Sequence, residues 1–293
     1  MHRLSTVLLC SVLAAQQPAT PPAAIPEDLA ALADRVGAAH CVDGPVPPVE
    51  AIRGLLTIQL LDRTAEQRGQ IDLDVRFLDW RRAAGARPVP LIRYEVLDAG
   101  GTIVRGQDRD GPWQLVRGEP RDLTGADFVQ DLAACEQHTN LARQLLLFLS
   151  PADVLRSLQR PSPVRPATLT VRRGKDLQCL AVAGELPAFP LLQQGGADRP
   201  VRIEVFVEAA TGRVAGLDAF PRQGDSVDEQ RGERILLADL RARDGILVPH
   251  EIRHLFREAG QLVLKSSVQV LQLSLRPELR PEDFDRLAVA RRR

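Results

Sequence analysis

Strict alternation of apolar and polar residues constrains this chain more than any other feature. Ile71, Leu73, Val75 and Phe77 alternate with Gln70, Asp72, Asp74 and Arg76, and Val201, Ile203, Val205 and Val207 face away from Arg202, Glu204 and Glu208. Successive side chains of a strand point to opposite sides, so each segment predicts a strand with one face in a core and the other in water. The same period runs through Ile52 to Leu60, Leu91 to Asp98 and Thr102 to Arg117, with short polar turns between, so the first half of the chain is a meander. Strands resume over Ala167–Arg173, Asp176–Ala183, Val201–Glu208, Arg213–Phe220 and Arg234–Arg241, with a hairpin turning about Gly174. No strand–helix–strand alternation recurs, so nothing calls for a parallel sheet.

Helical period occurs in two places. Leu29, Leu32, Ala33 and Val36 share one side of a helix over Glu27 to Ala39. The second region spans Thr124 to Gln159: Thr124-x-x-Asp127 forms a capping box before Phe128, Leu132 and Cys135, an apolar segment follows from Leu141 to Leu149, and Ser150, Pro151 and Asp153 start another short helix. Leu145 to Leu149 is apolar on every side, so this region must be covered on more than one face.

The stretch from Asp244 to Phe284 holds the one catalytic motif and admits two readings. As a helix, His250, Glu251 and His254 spell H-E-x-x-H, which presents two imidazoles to one zinc with a glutamate as general base. As a strand, His250, Ile252, His254 and Phe256 share one face, and Glu258-Ala-Gly-Gln261 turns the chain into Leu262, Leu264, Ser266, Val268 and Val270. Four residues of strand separate the histidines by roughly 13 Å, whereas zinc holds each nitrogen at about 2.0 to 2.1 Å. The alternation on either side favours the strand. The peptidase alternative requires a third ligand, for which Glu278 is available, but Arg257 stands where the extended motif wants glycine.

Charge narrows the partners. With 38 basic and 38 acidic residues the formal net charge is zero, so no general attraction to nucleic acid or to an anionic membrane is expected. Met1 to Ala15, with His2 and Arg3 before an apolar run and Ala14-Ala15 after it, reads as a signal peptide too short to span a bilayer. Residues 16–27 are a Pro/Ala-rich linker, and 288–293 a basic tail. Loss of Cys10 with the signal leaves Cys41, Cys135 and Cys179, an odd number for an oxidising compartment, consistent with one pair and one buried thiol. A Cys41–Cys135 bond would fasten the end of the first helix to the helical region.

Several of these features together resemble the LolA and LolB family of periplasmic lipoprotein carriers. They are the N-terminal helix, the strand pair before Trp80, Asp110-Gly111-Pro112-Trp113 followed by Gln114-Leu115, Gly245, Leu247 and Pro249, and the ending SVQVLQLSLRPELRPEDF. The likeness runs from Asp28 to Leu287. It implies an α+β fold, mainly antiparallel β, in which an incomplete, half-open barrel of about 10 to 11 strands holds helices plugging its concave side, as a single domain over residues 28–287. It also implies an apolar cavity for acyl chains.

On that reading the protein is a non-enzymatic, exported, periplasmic carrier or binding protein for a lipid, a lipoprotein acyl chain or another hydrophobic ligand. It acts as a monomer, with envelope donor or acceptor proteins as partners and without cofactor or metal. The alternatives are the zinc peptidase and a structural or regulatory envelope protein. About ten antiparallel strands offer more apolar face than three short helices can fill, so the expected ligand site lies between them. Leu145, Leu146, Leu147, Phe148 and Leu149 are placed at its lid, and Leu56, Ile58, Leu73, Val75, Ile92 and Tyr94 on its strand wall. Ile203 is given no ligand role. The catalytic inventory is otherwise thin, with no Gly-x-Ser-x-Gly elbow and no glycine-rich phosphate loop.

Overall fold

The computed structural model describes residues 28–42, 44, 49–62, 64, 66–80, 89–98, 101–123, 129–171, 176–192 and 199–292. The expected signal peptide, the linker, the Thr124-x-x-Asp127 capping box with Phe128, and the turns at Gly100 and Gly174 lie outside these residues. The described residues begin with helix α1 (Leu29–His40), started by the Asp28 carboxylate accepting from Ala31 N at 2.8 Å. Six strands follow: β1 (Ala51–Leu61), β2 (Gln67–Trp80), β3 (Val89–Asp98), β4 (Gly101–Gln107), β5 (Pro112–Val116) and β6 (Glu119–Asp122). Helices α2 (Val129–Leu149) and α3 (Pro151–Arg156) interrupt the sheet. Eight more strands complete it: β7 (Arg165–Thr170), β8 (Asp176–Phe189), β9 (Arg199–Glu208), β10 (Val214–Gln223), β11 (Ser226–Val227), β12 (Glu233–Arg243), β13 (Ile246–Glu258) and β14 (Gln261–Leu275). Helix α4 (Arg286–Arg291) lies near the C-terminus.

All the pairings are antiparallel, and the order across the sheet is β6-β5-β4-β3-β2-β1-β14-β13-β12-β10-β9-β8-β7, with β11 attached to β10. Strand β14 pairs with β1, Ile58 opposite Val268, so the two halves of the chain form one sheet. The edges β6 and β7 do not pair with each other, and the barrel stays open. The half-open, mainly antiparallel α+β architecture is therefore present, with 14 strands among the described residues where the resemblance implies about 10 to 11. Part of the difference is local: Thr102 to Arg117 is two strands, broken at Asp108–Gly111, and a two-residue turn at Arg117-Gly118 then opens β6.

Two turns set the fate of the H-E-x-x-H stretch. Asp244-Gly245 joins β12 to β13 and Ala259-Gly260 joins β13 to β14, and all four residues have positive φ, between 46° and 83°. That is the backbone a tight two-residue hairpin needs to match strand twist, and glycine adopts it without steric cost. With a hairpin at each end, Ile246–Glu258 is held extended. His250 and His254 both point inward and are enclosed.

The core occupies the concave side. Leu32, Ala33 and Val36 of α1 and Leu141, Leu145, Phe148 and Leu149 of α2 pack with Leu56, Leu73, Val75, Val201, Ile203, Val205, Val268 and Val270 in one cluster. Each fully buried side chain of this kind contributes roughly 1.5 to 3 kcal/mol. Helix α2 is continuous over 21 residues, spanning what the sequence offers as two segments. On the opposite side Val289 of α4 packs with Val104 and Trp113, and Arg286 holds Asp108 through two bonds of 2.7 and 2.8 Å and also pairs with Asp122. The segment set apart as a basic tail is thus, over residues 288–292, attached to the domain.

Candidate functional site

A buried amide on α2 organises the space behind it. Gln144, fully enclosed, donates through Nε2 to Pro190 O at 2.6 Å and to Glu233 Oε1 at 2.9 Å. Its Oε1 lies 3.0 Å from His254 Nε2, and an amide oxygen can only accept, so the proton of neutral His254 sits on Nε2. His254 Nδ1 is then an acceptor for Ser266 Oγ, 3.4 Å away on the paired strand. Glu233 Oε2 accepts from Leu192 N at 3.0 Å, and Asn140 Nδ2 donates to Leu191 O at 2.9 Å. This network ties one face of α2 to β12, β13, β14 and the segment after β8. Burial pushes the His254 pKa down to about 3.

Beside the network an apolar cavity of about 300 Å³ lies between α2 and strands β1, β2, β13 and β14. Ile58, Ile71, Leu141, Leu192, Phe256 and Val268 give it apolar walls, and Gln137, His138, Lys265 and Ser266 add polar atoms. Leu60, on its border, is 41% exposed. Lys265 Nζ pairs with Glu258 Oε1 at 2.6 Å, both side chains being partly exposed. His138 packs edge-on against Tyr94, ring centroids 4.5 Å apart, and burial lowers its pKa to about 4. His138 Nδ1 is enclosed without a hydrogen-bond partner, and the Tyr94 hydroxyl lies beside Cys135 and Arg105. An orphaned buried polar atom costs about 1 to 3 kcal/mol, so His138 Nδ1 calls for an explanation.

A larger cavity, about 480 Å³, lies at the end of the helices, where Asp34, His40, Cys41, Leu149, Arg156 and Ile246 contribute to its lining. Its charged groups and its imidazole are engaged: His40 Nε2 donates to Leu149 O at 3.0 Å, and Arg156 pairs with Asp34 at 2.8 Å and Asp153 at 3.3 Å. Its rim is charged, whereas the smaller cavity lies on the concave face under α2.

The expected ligand residues divide between these places and the packed core. Leu56, Leu73, Val75, Ile92 and Tyr94 belong to the packed cluster, with Leu145 and Leu146 against them. Ile58 reaches the 300 Å³ cavity and Leu149 the 480 Å³ one. Phe148 borders only a gap of about 10 Å³, and Leu147 is partly buried against the cluster. Gln137, His138, Leu141, Leu192, Phe256, Lys265 and Val268 line the smaller cavity and were not among the residues expected at a ligand site. The available signal was Ser266, one hydroxyl on the otherwise apolar inward stripe of β14.

Two sequence-level alternatives meet the geometry here. His250 and His254 lie on a strand, with His250 Nδ1 bonded to Val270 O at 2.7 Å and His254 to Gln144 at 3.0 Å. No group of three His, Cys, Asp or Glu suited to a metal occurs among the described residues. The expected Cys41–Cys135 bond is not formed, since Cys41, Cys135 and Cys179 are all free. The reason is the length of α2. Cys41 adjoins His40, which bonds to the last residue of that helix, whereas Cys135 lies in its second turn, its Sγ 3.6 Å from Gly106 O. At 1.5 Å per residue the two ends of that stretch are about 21 Å apart, against a Cα separation below about 7 Å for a disulfide.

The fold and cavity define a class: an open antiparallel half-barrel closed on its concave side by helices, with apolar space left beneath one of them. No protein-family model matches the chain, and no curated protein matches it. Among solved structures the chain is similar to a DUF1329 family protein from Desulfovibrio piger, at 12% identity and a TM-score of 0.48, over 89% of this chain and 97% of that one. It is also similar to an outer membrane lipoprotein-sorting protein domain from Vibrio parahaemolyticus (9% identity, TM-score 0.43, 89% and 97% of the two chains). A LolA superfamily protein from Nitrosomonas europaea gives 10% identity and a TM-score of 0.37, over 87% and 96%. The fold stands on the strand register given above, and the site on its own side chains; neither is inferred from these likenesses.

Proposed function

We propose that this protein is a non-enzymatic carrier or binding protein for an apolar ligand of the acyl-chain type, exported to the periplasm and exchanging that ligand with donor or acceptor proteins of the envelope. The observation that carries the reading is the 300 Å³ cavity under α2, walled by aliphatic side chains and provided with a few polar groups. That is the composition of a small-molecule site, at the lower end of the usual size range. Each buried methylene of a chain contributes roughly 0.8 kcal/mol, so a short run of acyl carbons gives micromolar binding after association costs.

The chemistry beside the cavity favours holding over reacting. Ser266 and His254 have the order of a nucleophile and its base, but a base near pKa 3 takes up a proton poorly at neutral pH. No helix among the described residues is long and apolar enough to cross a membrane.

The test uses N-phenylnaphthylamine, an uncharged dye that fluoresces in apolar surroundings. It should bind the lipid-stripped protein saturably, and Ile71→Trp, which fills the cavity from β2, should abolish that binding in a protein that remains folded. No saturable binding by folded wild-type protein leaves a structural role in the envelope.

A further inference from the structure

The cavity of about 480 Å³ at the end of the helices takes no part in the acyl-chain reading, yet its volume is that of a small-molecule site. Val49, Leu149, Ala152 and Ile246 give it apolar walls, and its charged groups are Asp34, Asp153 and Arg156. Arg156 donates to Oδ1 of Asp34 at 2.8 Å and to Oδ1 of Asp153 at 3.3 Å, so one guanidinium faces two carboxylates and Oδ2 of each lies outside those bonds. Two negative charges against one positive leave the lining at minus one if His40 is neutral. Burial, partly offset by the bond to Leu149 O, lowers the His40 pKa. A carbonyl oxygen only accepts, so the imidazole proton sits on Nε2 and Nδ1 is a bare acceptor.

The backbone adds to this sign. Gly37, Ala38 and His40 belong to the last turn of α1, the negative end of that helix's dipole, where cations are favoured. The start of α3 hardly opposes it: the helix has 6 residues, Pro151 has no N–H, and Asp153 N donates to Ser150 O at 3.0 Å. We propose that this cavity binds a small primary amine, its ammonium held by Asp34, Asp153 and His40 Nδ1 and its apolar body against Val49, Leu149, Ala152 and Ile246. The site is separate from the acyl-chain cavity and stands or falls without it. A quaternary ammonium has the charge but no N–H to give, and a carboxylate meets the wrong sign. Asp34, Asp153 and Arg156 are each more than half exposed, so charge sets the selectivity and the apolar body supplies most of the affinity.

Cys41 reports occupancy, because it lines the cavity and is partly exposed, whereas Cys135 and Cys179 are buried and their thiols are pushed up to about 11. The full chain is alkylated with iodoacetamide at neutral pH in the presence of phenethylamine, its trimethylammonium analogue or 3-phenylpropanoate, and modification at Cys41 is followed by peptide mass spectrometry. The concentration giving half-protection is read, since it does not depend on the intrinsic rate of the thiol. Phenethylamine should protect at a concentration about tenfold below that of 3-phenylpropanoate, equal to about 1.4 kcal/mol, and severalfold below that of the trimethylammonium analogue. Asp34→Asn combined with Asp153→Asn takes the lining from minus one to plus one and should reverse the order of amine and carboxylate. Arg156→Gln should improve the amine severalfold. All three substitutions are at exposed positions, and circular dichroism establishes that the variants fold. Carboxylate or trimethylammonium protecting as well as the amine overturns the inference, as does an unchanged order in the double variant or no protection by millimolar amine. Where Cys41 reacts too slowly to follow, proton–nitrogen spectra of the same titrations replace it: saturable shifts at Gly37 and Ala38 with the amine alone support the site, and their absence overturns it.

Discussion

Helix α2 meets the sheet in two ways along its length. Its last turns, Leu145 to Leu149, are packed into the central cluster with Leu73, Val75 and Ile92, and the gap beside Phe148 is only about 10 Å³. Further toward its start, Gln137, His138 and Leu141 border a 300 Å³ cavity. The difference follows from composition. A run apolar on all sides gains by contact in every direction and closes onto the sheet, whereas a helix face that mixes imidazole, amide and leucine cannot dehydrate fully without orphaning polar atoms. Gln144 stands at the junction, where its bonds to Pro190, Glu233 and His254 hold the helix at a set distance from the strands.

Three measurements break or sharpen this contrast. Phe148→Ala should have the largest effect, destabilising the fold by about 3 to 5 kcal/mol because a large side chain leaves a cavity in close-packed surroundings. Dye affinity should hardly change. Urea unfolding monitored with dye titration checks both, and loss of binding without loss of stability would place the ligand at the end of the helix after all.

Next comes acid. His138 and His254 have folded pKa values of about 4 and about 3, below their ordinary 6.5. The unfolded chain therefore binds protons first as pH falls. The stabilisation from keeping both rings neutral is complete above pH 6.5 and is lost progressively below it. By about pH 5 each ring should have removed on the order of 2 kcal/mol. Unfolding midpoints that stay level from pH 7 to pH 5 would mean that these rings are not enclosed as described. The smallest stability effect belongs to Ile71→Trp, within about 1 kcal/mol of wild type, because the added ring enters existing space. A strongly destabilised Ile71→Trp would show that the cavity is closed in solution.

Much of the fold was legible along the chain because alternation is a local signal. Ile71 to Phe77 and Val201 to Val207 show their inward faces in the sequence alone, and Asp244-Gly245 and Ala259-Gly260 mark the turns that make His250 and His254 strand residues. The site was less legible. The apolar stretch Leu145 to Leu149 put the expected lid on the helix that borders the cavity, and the structure packs that stretch into the core, because hydrophobicity reports that a residue must be covered and not by what. Cys41 and Cys135 illustrate the same limit: spacing along the chain said nothing of the helix length between them.

Sequence by itself determined the strand faces, the helical interruption and the hairpin around His250 and His254, since each depends on residues a few positions apart. Only the tertiary structure decided where the concave face is filled and where it is open. Gln144 finds its partners 46, 89 and 110 residues away, and the β1–β14 pairing that sets Ile58 opposite Val268 joins the two halves of the chain at the middle of the sheet. The cavity exists because these distant constraints stop α2 short of the strands at one end and let leucines close the other, a balance of packing against polar satisfaction that no local pattern encodes.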